Sequence, residues 1–324
     1  MRMAADKTMS LADAVNAYVK NGSHISIGGF TLNRNPMAAV YEIIRQEKKN
    51  LHLYAHSNGQ GLDELIGAGS VSRLEIAYGG TGRYASTCIR FRKAVESGTL
   101  SVEDYTNFQM SLRFMAGAMG LPFMPVRSGI GSDIMTRWGF SEEVRKSDDR
   151  LPDKKITVMN NPFGSWGGAE KVALVPAIHT DVAVIHVQKA DPQGTAMIAG
   201  LPFSDIEQIK ASKHVIITCE ELTAPGELRQ DGDRNAVPTF LPDAVCHAPF
   251  GAYPTACFGH YDYDPVFLKA YAEAAADDRV YQNYVNEVIL STKNHDEFVE
   301  KAAGGRRASL MADPETGYAK HLAR

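Results

Sequence analysis

Glycine-rich turns that follow strand-like segments are the part of this sequence best suited to chemistry. Three turns supply candidate residues: Gly28, Gly29 and Phe30, then Gly79, Gly80 and Thr81, then Ser128, Gly129 and Gly131. Because glycine has no Cβ, its backbone N–H can closely approach a phosphate, a thioester oxygen or a carboxylate. Each turn alone is consistent with an ordinary chain reversal, but together they predict a site that binds anionic or carbonyl oxygens.

Polar side chains accompany these turns. Ser57 and Asn58 precede Gly59 at the end of another strand-like segment, and Arg83 and Arg127 come at or just after further strand ends. A guanidinium can hold a carboxylate through two parallel hydrogen bonds, so each arginine is a candidate for binding a dicarboxylic acyl group. The alternatives are a plain turn for Ser57 and Asn58, and a solvated surface side chain for each arginine.

The best-known catalytic motifs are absent from the sequence. It contains no GxxxxGK[ST], no complete GxGxxG, no GxSxG and no HExxH, and its ten histidines show no metal-ligand spacing. These absences argue against nucleotide hydrolysis, dinucleotide binding and a metal centre.

Two further groups of residues have competing interpretations. The segment 219–221, Cys-Glu-Glu, follows a strand and could hold a nucleophile, although acidic caps of a following helix are the favoured interpretation. An aromatic cluster could stack on an adenine, although core or subunit packing is favoured. Its members are Tyr253, Phe258, Tyr261 and Tyr263.

Alternating strand and helix patterns must position these residues. Short segments that end at glycine turns predict strands at 24–27, 51–54 and 74–77, and β-branched apolar runs predict strands of a parallel sheet at 172–175, 182–185 and 215–217. Periodic apolar residues predict helices after Ser10, after Pro36, and at 85–97, 105–119, 204–213 and 264–288. This order predicts an α/β fold, an open and mostly parallel sheet flanked by helices, whose ligands bind at the carboxyl ends of the strands. We expect a single domain spanning 1–324, with an excursion or lid at 138–168.

Composition limits the partners and the compartment. The 324 residues carry a formal net charge of −4 with a pI near 6.2, so no broad basic field favours nucleic acid or an anionic membrane. The four cysteines form no CxxC pair and are predicted to be reduced thiols. No apolar run of about 18 residues predicts a membrane span, and the predicted location is the cytoplasm.

One segment carries a family resemblance. Residues 21–36 include the run HISIGGF and end at Pro36, and they resemble the glycine-glycine-phenylalanine signature of the first subunit of family I coenzyme A transferases. The segment departs from that signature at Ser26 and at Arg34, where the family usually has glycine. Similar segments extend the resemblance over nearly the whole chain, most strongly to the glutaconate branch. They are RNPMAAV at 34–40, RFRK at 90–93, VEDY at 102–105, GLPFMPV at 120–126, EVRK at 143–146, NPF at 161–163, TCEE at 218–221, APFGAYP at 248–254 and YDYD at 261–264.

This resemblance implies a CoA-transferase-like fold and a coenzyme A thioester as substrate, with no permanently bound cofactor. In the family a glutamate attacks acyl-CoA, an acyl-glutamyl anhydride forms, CoA attacks it, and the glutamyl-CoA thioester passes CoA to an acceptor carboxylate. That glutamate usually lies in a Ser-Glu-Asn-Gly turn on the second, beta subunit. Here no glutamate stands between Ser57 and Asn58. The resemblance therefore implies the subunit without the nucleophile, working in a hetero-oligomer of alpha-beta pairs.

The same resemblance implies roles for the turns. The backbone N–H groups of 28–30 would stabilise an oxyanion or bind the acyl group, and the other two turns would line the acyl pocket. Gly82 stands where the glutaconate enzymes have a serine hydroxyl, a donor that Thr81 and Arg83 could replace. The identities of the acyl donor and of the acceptor acid stay open.

Two other functions remain as alternatives. Relatives with the same two-subunit fold hydrolyse or decarboxylate acyl-CoA, and in the hydrolase-like ones an acidic residue near the position of Asn107 matters. Asn107 is a candidate substrate-binding residue, but an amide cannot act as a base at neutral pH. The non-enzymatic alternative is a sugar-phosphate-binding or regulatory module, because a fold alone does not determine a function.

Overall fold

The structure, a computed structural model, describes residues 5–168, 170–230, 232–320 and 322. Its strands are β1 His24–Ile27, β2 Leu51–Asn58, β3 Val71–Gly79, β4 Ser101–Asp104, β5 Phe123–Val126, β6 Thr157–Asn160, β7 Lys171–Pro176, β8 Thr180–Ala190, β9 Ala196–Met197, β10 Ser212–Leu222, β11 Asn235–Val237 and β12 Ala244–His247. Its α-helices are α1 Leu11–Tyr18, α2 Met37–Arg45, α3 Gln60–Gly67, α4 Ile89–Glu96, α5 Asn107–Ala118, α6 Glu142–Lys146, α7 Asp205–Lys210, α8 Pro265–Ala276, α9 Asp278–Tyr284, α10 His295–Ala303 and α11 Arg307–Leu310.

Nine of the described strands form one sheet with a parallel centre. The order across the parallel part is β12-β10-β8-β1-β2-β3-β4, while β9 pairs antiparallel with β8 and with β11. Ile27 at the end of β1 lies beside Val184, and Asn58 at the end of β2 lies beside Gly79. The predicted α/β fold with an open, mostly parallel sheet is confirmed, and the carboxyl ends of β1, β2 and β3 meet at one edge.

Both faces of the central strands are covered. This explains the continuous apolar runs of β8 and β10, whereas β1 and β2 also bury the polar side chains of His24, Ser26 and His52. On one face Leu53 of β2 belongs to the same buried cluster as Leu62 of α3. On the other face Tyr54 packs in a cluster with Phe114 of α5. No helix among the described residues has the length and apolar character needed to cross a membrane. The four cysteines are buried and unpaired, so the prediction of reduced thiols is confirmed.

An ion pair attaches α5 to the sheet. Arg113 of α5 lies 2.5 Å from the Glu75 carboxylate of β3, and each side chain is only 1% exposed. The Arg113 guanidinium also stacks on Tyr105 at 3.9 Å and donates to the Pro176 carbonyl oxygen. Burial opposes ionisation of Glu75, but Arg113 and His52 together outweigh it and hold the pKa of Glu75 down to about 2. The orientation of α5, and hence of its amino terminus at the sheet edge, is set by these contacts.

Two predicted elements differ from the structure. The run 172–175 lies in β7, which pairs antiparallel with β5 and β6 in a separate three-stranded sheet, so its assignment to the main sheet was wrong. An apolar run predicts a strand without revealing its partner. The helix predicted at 264–288 is divided into α8 and α9 at Asp277, whose side chain caps α9.

The predicted excursion at 138–168 lies between β5 and β7 and contains α6 and β6. Its action as a lid stays a prediction. The single domain spanning 1–324 also stays a prediction, and its two ends lie outside the described residues.

Candidate functional site

The turn 28–30 follows β1 and lies against the first residue of α7. Gly29 has a φ of 81°, and a Cβ at this position would lie 2.5 Å from the Asn33 carbonyl oxygen. A Cβ on Gly28 would lie 2.9 Å from a carboxylate oxygen of Asp205. Both positions need glycine, because any side chain would displace the backbone or the buried carboxylate.

The backbone N–H groups of this turn donate within the chain. Gly28 donates to a carbonyl oxygen of β8 at 3.0 Å. Gly29 donates to Asp205 Oδ1 at 3.0 Å, and Phe30 donates to the Asn33 carbonyl oxygen at 2.8 Å. Their role as oxyanion donors stays a prediction, and it requires at least one of these bonds to open. Because the Asp205 carboxylate lies beside it, the Gly29 N–H is the least favourable of the three N–H groups for binding a second negative charge.

Beneath the turn, Arg34 and Asp205 form a buried ion pair. Arg34 Nη1 lies 2.6 Å from Asp205 Oδ2, and the two side chains are 3% and 0% exposed. The same guanidinium donates to the carbonyl oxygens of His186 at 2.8 Å and Leu201 at 3.2 Å. Burial raises the pKa of Asp205, and the charge of Arg34 opposes that shift. No spacing in the sequence indicates Asp205, which is 171 residues from Arg34.

The end of β2 meets the first turn of α5. Ser57 Oγ donates to Asn107 Oδ1 at 2.7 Å. The Asn58 amide donates to the Gly28 carbonyl oxygen at 3.1 Å, and its Oδ1 accepts from the Leu62 N–H at 3.0 Å. Ser57, Asn58 and Asn107 therefore lie together beside the first glycine turn. Their binding of substrate stays a prediction.

The turn 128–131 is fastened to the same end of α5. Thr106 caps the helix and shares a 2.8 Å hydrogen bond between its hydroxyl and that of Ser128. Gln109 completes the capping box and donates from Nε2 to the Ser128 carbonyl oxygen at 2.8 Å. Gly129 and Gly131 have φ values of 84° and 83°. The cap thus places Ser128 and Gly129 close to the Ser57 and Asn107 pair.

The turn 79–81 lies on the other side of β2. The Gly80 N–H donates to the Asn58 carbonyl oxygen at 3.1 Å. A Cβ on Gly80 would lie 2.7 Å from the Ser86 carbonyl oxygen, so the chain approaches itself too closely for a side chain. Thr81 is buried, and its N–H donates to the Ala85 carbonyl oxygen. This turn borders the same sheet edge as predicted, and its contact with an acyl group stays a prediction.

The two candidate arginines have protein partners. Arg83 donates to the Tyr263 hydroxyl at 2.7 Å, and its guanidinium lies 5.5 Å and 5.8 Å from the ring centres of Tyr84 and Tyr263. Arg127 Nη1 donates to the Gly167 carbonyl oxygen at 3.1 Å, in the loop before β7. Carboxylate binding by either arginine stays a prediction.

In the aromatic cluster, Tyr253 and Tyr261 are buried, whereas Phe258 is 38% exposed. Tyr253 contacts the ring of Phe267, and Tyr261 stacks on Phe250 at 4.3 Å. The favoured interpretation as core packing therefore holds for the two buried tyrosines.

Glu220 is not a helix cap. It lies within β10, and its carboxylate accepts hydrogen bonds from His186 Nε2 at 2.8 Å, from the Tyr261 hydroxyl, and from the Phe250 N–H at 2.7 Å. Although burial acts in the opposite direction, these partners hold the pKa of Glu220 below its usual value. The cap prediction was wrong because β10 continues past this position to Leu222.

One group of described side chains has the spacing of metal ligands. His186, Glu220 and Cys257 each place a donor atom within 4.8 Å of the others. His186 is already hydrogen-bonded to Glu220 and to the Thr218 hydroxyl, and burial raises the pKa of the Cys257 thiol. A metal would have to displace these bonds and deprotonate the thiol. The expectation of no metal stays a prediction.

His56 lies at this site although its sequence context alone did not single it out. It precedes Ser57 on β2, and its ring centre lies 6.0 Å from that of Phe30. The ring is partly exposed, while its Nδ1 is buried and has no hydrogen-bond partner. Burial lowers the pKa of His56, against opposing effects of the Asn107 backbone and the Asp205 charge. Its position next to Ser57 in the predicted turn was the signal that could have identified it.

A cavity of about 370 Å³ adjoins the first glycine turn. Phe30 and Phe203 stack at 4.8 Å in its wall, which also includes Leu201. The polar groups of the wall are engaged within the chain, since Arg34 pairs with Asp205 and the Gln188 amide bonds the carbonyl oxygens of 199 and 258. The cavity thus offers mainly apolar contact beside the turn.

Comparisons with known proteins agree with this geometry. The family model described as coenzyme A transferase matches residues 8–248. The A subunit of the glutaconate CoA-transferase from Acidaminococcus fermentans is 40% identical over 312 residues, which cover 96% of this chain and 97% of that protein. The crystal structure of that enzyme superimposes with a TM-score of 0.92 and covers 97% of this chain and 98% of its own.

Other relatives bear different names. The A subunit of the 3-oxoadipate CoA-transferase from Pseudomonas knackmussii is 34% identical over 301 residues, covering 92% of this chain and 99% of that protein. The IpdA subunit of the cholesterol ring-cleaving hydrolase from Rhodococcus jostii is 29% identical over 292 residues, covering 89% and 94%. The names of these similar proteins therefore include both CoA-transferases and a hydrolase.

Proposed function

The chain belongs to the coenzyme A transferase family, and we propose that it is the alpha subunit of a two-subunit enzyme that moves coenzyme A between an acyl-CoA and a carboxylic acid. The observation that carries this proposal is the match along nearly the full length to the corresponding subunits of two CoA-transferases. The close-packed glycine turn at 28–30, with its buried support from Asp205, is consistent with it.

In this proposal the nucleophilic glutamate comes from the beta subunit. The turn of this chain at the end of β2 offers only Ser57 and Asn58, and both side chains are hydrogen-bonded within the chain. The buried glutamate Glu75 is paired with Arg113 and lies in the body of the sheet. This chain would supply the walls of the acyl pocket and the beta subunit would supply the covalent step.

The substrate would be a coenzyme A thioester, with no cofactor bound permanently. We further propose a dicarboxylic acid as one partner of the exchange, since two relatives with transferase names are named for glutaconate and 3-oxoadipate, which are dicarboxylates. We propose the cytoplasm as the place of action, in keeping with four unpaired cysteines.

Hydrolysis is the second candidate, because one of the relatives belongs to a hydrolase. Here Asn107 Oδ1 accepts the Ser57 hydroxyl hydrogen, and an amide cannot take up a proton from water at neutral pH. The chain therefore lacks a general base at this position, which favours transfer over hydrolysis.

The experiment is to co-purify this chain and its beta subunit, and then to mix the complex with acyl-CoA and labelled acetate. Label in acetyl-CoA, without net release of free thiol, is the expected result. Release of free CoA without label in acetyl-CoA would indicate a hydrolase instead. The chain alone serves as the control, because it should catalyse neither reaction without the partner's glutamate.

A further inference from the structure

The turn 128–131 is shaped by bonds within its own segment. The Ser132 N–H and hydroxyl both donate to the Gly129 carbonyl oxygen, at 3.0 Å and 2.7 Å. The Ile130 side chain is 39% exposed, and a Cβ on Gly131 would lie in open space. These local bonds determine the shape of the turn but not its place beside the sheet.

One buried side chain fastens this turn to α5. Gln109 is 0% exposed, and its Nε2 donates to the Ser128 carbonyl oxygen at 2.8 Å. Its Oε1 accepts from the Thr106 N–H at 2.9 Å, so a single amide bonds both the helix start and the turn. An amide can do both, whereas a carboxylate only accepts and an ammonium group only donates.

The turn also packs directly on this amide. A Cβ on Gly129 would lie 2.9 Å from Gln109 Nε2 and 3.2 Å from the Met135 sulfur. The Thr106 hydroxyl accepts from the Gln109 N–H at 3.0 Å and shares a 2.8 Å hydrogen bond with the Ser128 hydroxyl. Gln109 therefore limits how closely the turn approaches α5, and its bond to Ser128 limits how far the turn moves away.

The same helix start carries the other side of the candidate site. Asn107, two residues before Gln109, accepts the Ser57 hydroxyl hydrogen at 2.7 Å. Farther along α5, the buried Arg113 pairs with Glu75 and attaches the helix to the sheet. Both the end of β2 and the turn are therefore bonded to the first turn of α5, and Gln109 sets the distance between them.

We propose that Gln109 is a positioning residue for the acyl group, because it fixes the turn 128–131 at the distance from Ser57 and Asn107 that the acyl pocket requires. This inference rests on the proposed function, in which that turn lines the acyl pocket of the CoA-transferase. Gln109 is fully buried, so it acts through the turn and does not touch the substrate. A displaced turn would hold the acyl group loosely, and a misplacement of about 1 Å costs up to about 100-fold in rate.

Substitution by glutamate separates this role from helix capping. Glutamate serves as well as glutamine at this position of a capping box, because its carboxylate still accepts the Thr106 N–H. Ionised at an assay pH of about 8, it has no hydrogen to donate to the Ser128 carbonyl oxygen. Gln109→Glu therefore keeps the cap and removes the bond to the turn, whereas Gln109→Met removes both.

A third variant perturbs the contact from the side of the turn. Gly129→Ala places a Cβ 2.9 Å from Gln109 Nε2 and should push the turn away from α5. Its control is Gly98→Ala, which has a similar φ, 70° against 84°, but nothing within 4 Å of its Cβ. The control for Gln109→Glu is Gln282→Glu, because Gln282 is exposed on α9.

The experiment uses the complex of alpha and beta subunits, with labelled acetate and labelled succinate as acceptor acids and hydrogen exchange of residues 128–132 as a second readout. We expect Gln109→Glu, Gln109→Met and Gly129→Ala to raise KM for the acid about tenfold, to lower kcat less than threefold, and to speed hydrogen exchange of the turn. The two control variants should match the wild-type complex in all three measurements.

Wild-type kinetics for Gln109→Glu would overturn the inference, because the cap alone would then suffice. If the Gln109 variants fail to assemble, Gly129→Ala decides the matter against Gly98→Ala, and an unchanged KM in Gly129→Ala would refute the positioning role. Either result leaves the transferase assignment intact. A wild-type complex that transfers CoA to neither acid would instead refute the proposed function, while hydrogen exchange would still show whether Gln109 holds the turn.

Discussion

Replacing Asp205 with asparagine should destabilise this chain through the charge that it leaves behind. The amide keeps the size of the side chain and can still accept the Gly29 N–H, but the charge 2.6 Å from Arg34 Nη1 disappears. Arg34 is only 3% exposed, so the substitution leaves a buried guanidinium without its neutralising partner. Removing one partner of a buried ion pair costs about 3–5 kcal/mol. Because two carbonyl oxygens still accept from Arg34, we expect a loss of about 3 kcal/mol, which lowers Tm by roughly 4–5 °C.

Calorimetric melting of the four members of a double-mutant cycle measures this loss. The cycle compares wild type, Asp205→Asn, Arg34→Met and the double variant. In the Arg34→Met background the substitution of Asp205 should cost far less, because no buried cation remains to be neutralised. Losses that simply add would refute the reasoning. Glu142→Gln removes an exposed partner of Lys146 as the control, and its effect should stay within about 0.5 kcal/mol.

Three further perturbations test other parts of the structure. Burial lowers the pKa of His295 to about 4. Below about pH 6.5 the unfolded chain therefore binds a proton at this residue that the folded chain does not. Tm should fall as the pH is lowered from about 6.5 to about 4. His295→Gln can still donate to the Phe250 carbonyl oxygen, and it should flatten this fall in calorimetric scans; an unchanged slope would contradict the assignment. Gly29→Ala should abolish CoA transfer, because its Cβ would lie 2.5 Å from the Asn33 carbonyl oxygen. The control is Gly98→Ala, at a φ of 70° in open space. It should preserve transfer and lower the free energy of unfolding, measured by denaturation, by about 1–2 kcal/mol. Burial raises the pKa of all four cysteine thiols. A thiol reagent at pH 8 should therefore modify no cysteine in the folded chain and all four after denaturation. Rapid labelling of the native protein would disprove their burial.

Much of the architecture was predictable from local sequence. Strands covered on both faces favour continuous apolar runs, and such runs predicted β8 and β10, while strand-like segments ending at glycine turns predicted β1 and β2. Where β1 ends, the backbone takes a positive φ at Gly29 and approaches Asp205 at Gly28, conditions that glycine meets and other residues do not. The absence of a glutamate between Ser57 and Asn58 could also be established from the sequence, because it concerns adjacent residues only.

Tertiary structure decided which distant residues meet. The run 172–175 had the composition of a strand in the main sheet, but its pairing with β5 and β6 depends on segments far along the chain. Glu220 had the sequence position of a helix cap, but in the fold its carboxylate bonds His186 and Tyr261. Asp205 supports Gly29 because α7 packs on β8, the neighbour of β1 in the sheet. The sequence by itself determined the strands, the turns and the residues available for chemistry, because these follow from local sterics and burial. The order of strands in the sheet determined which of these residues meet at its carboxyl edge.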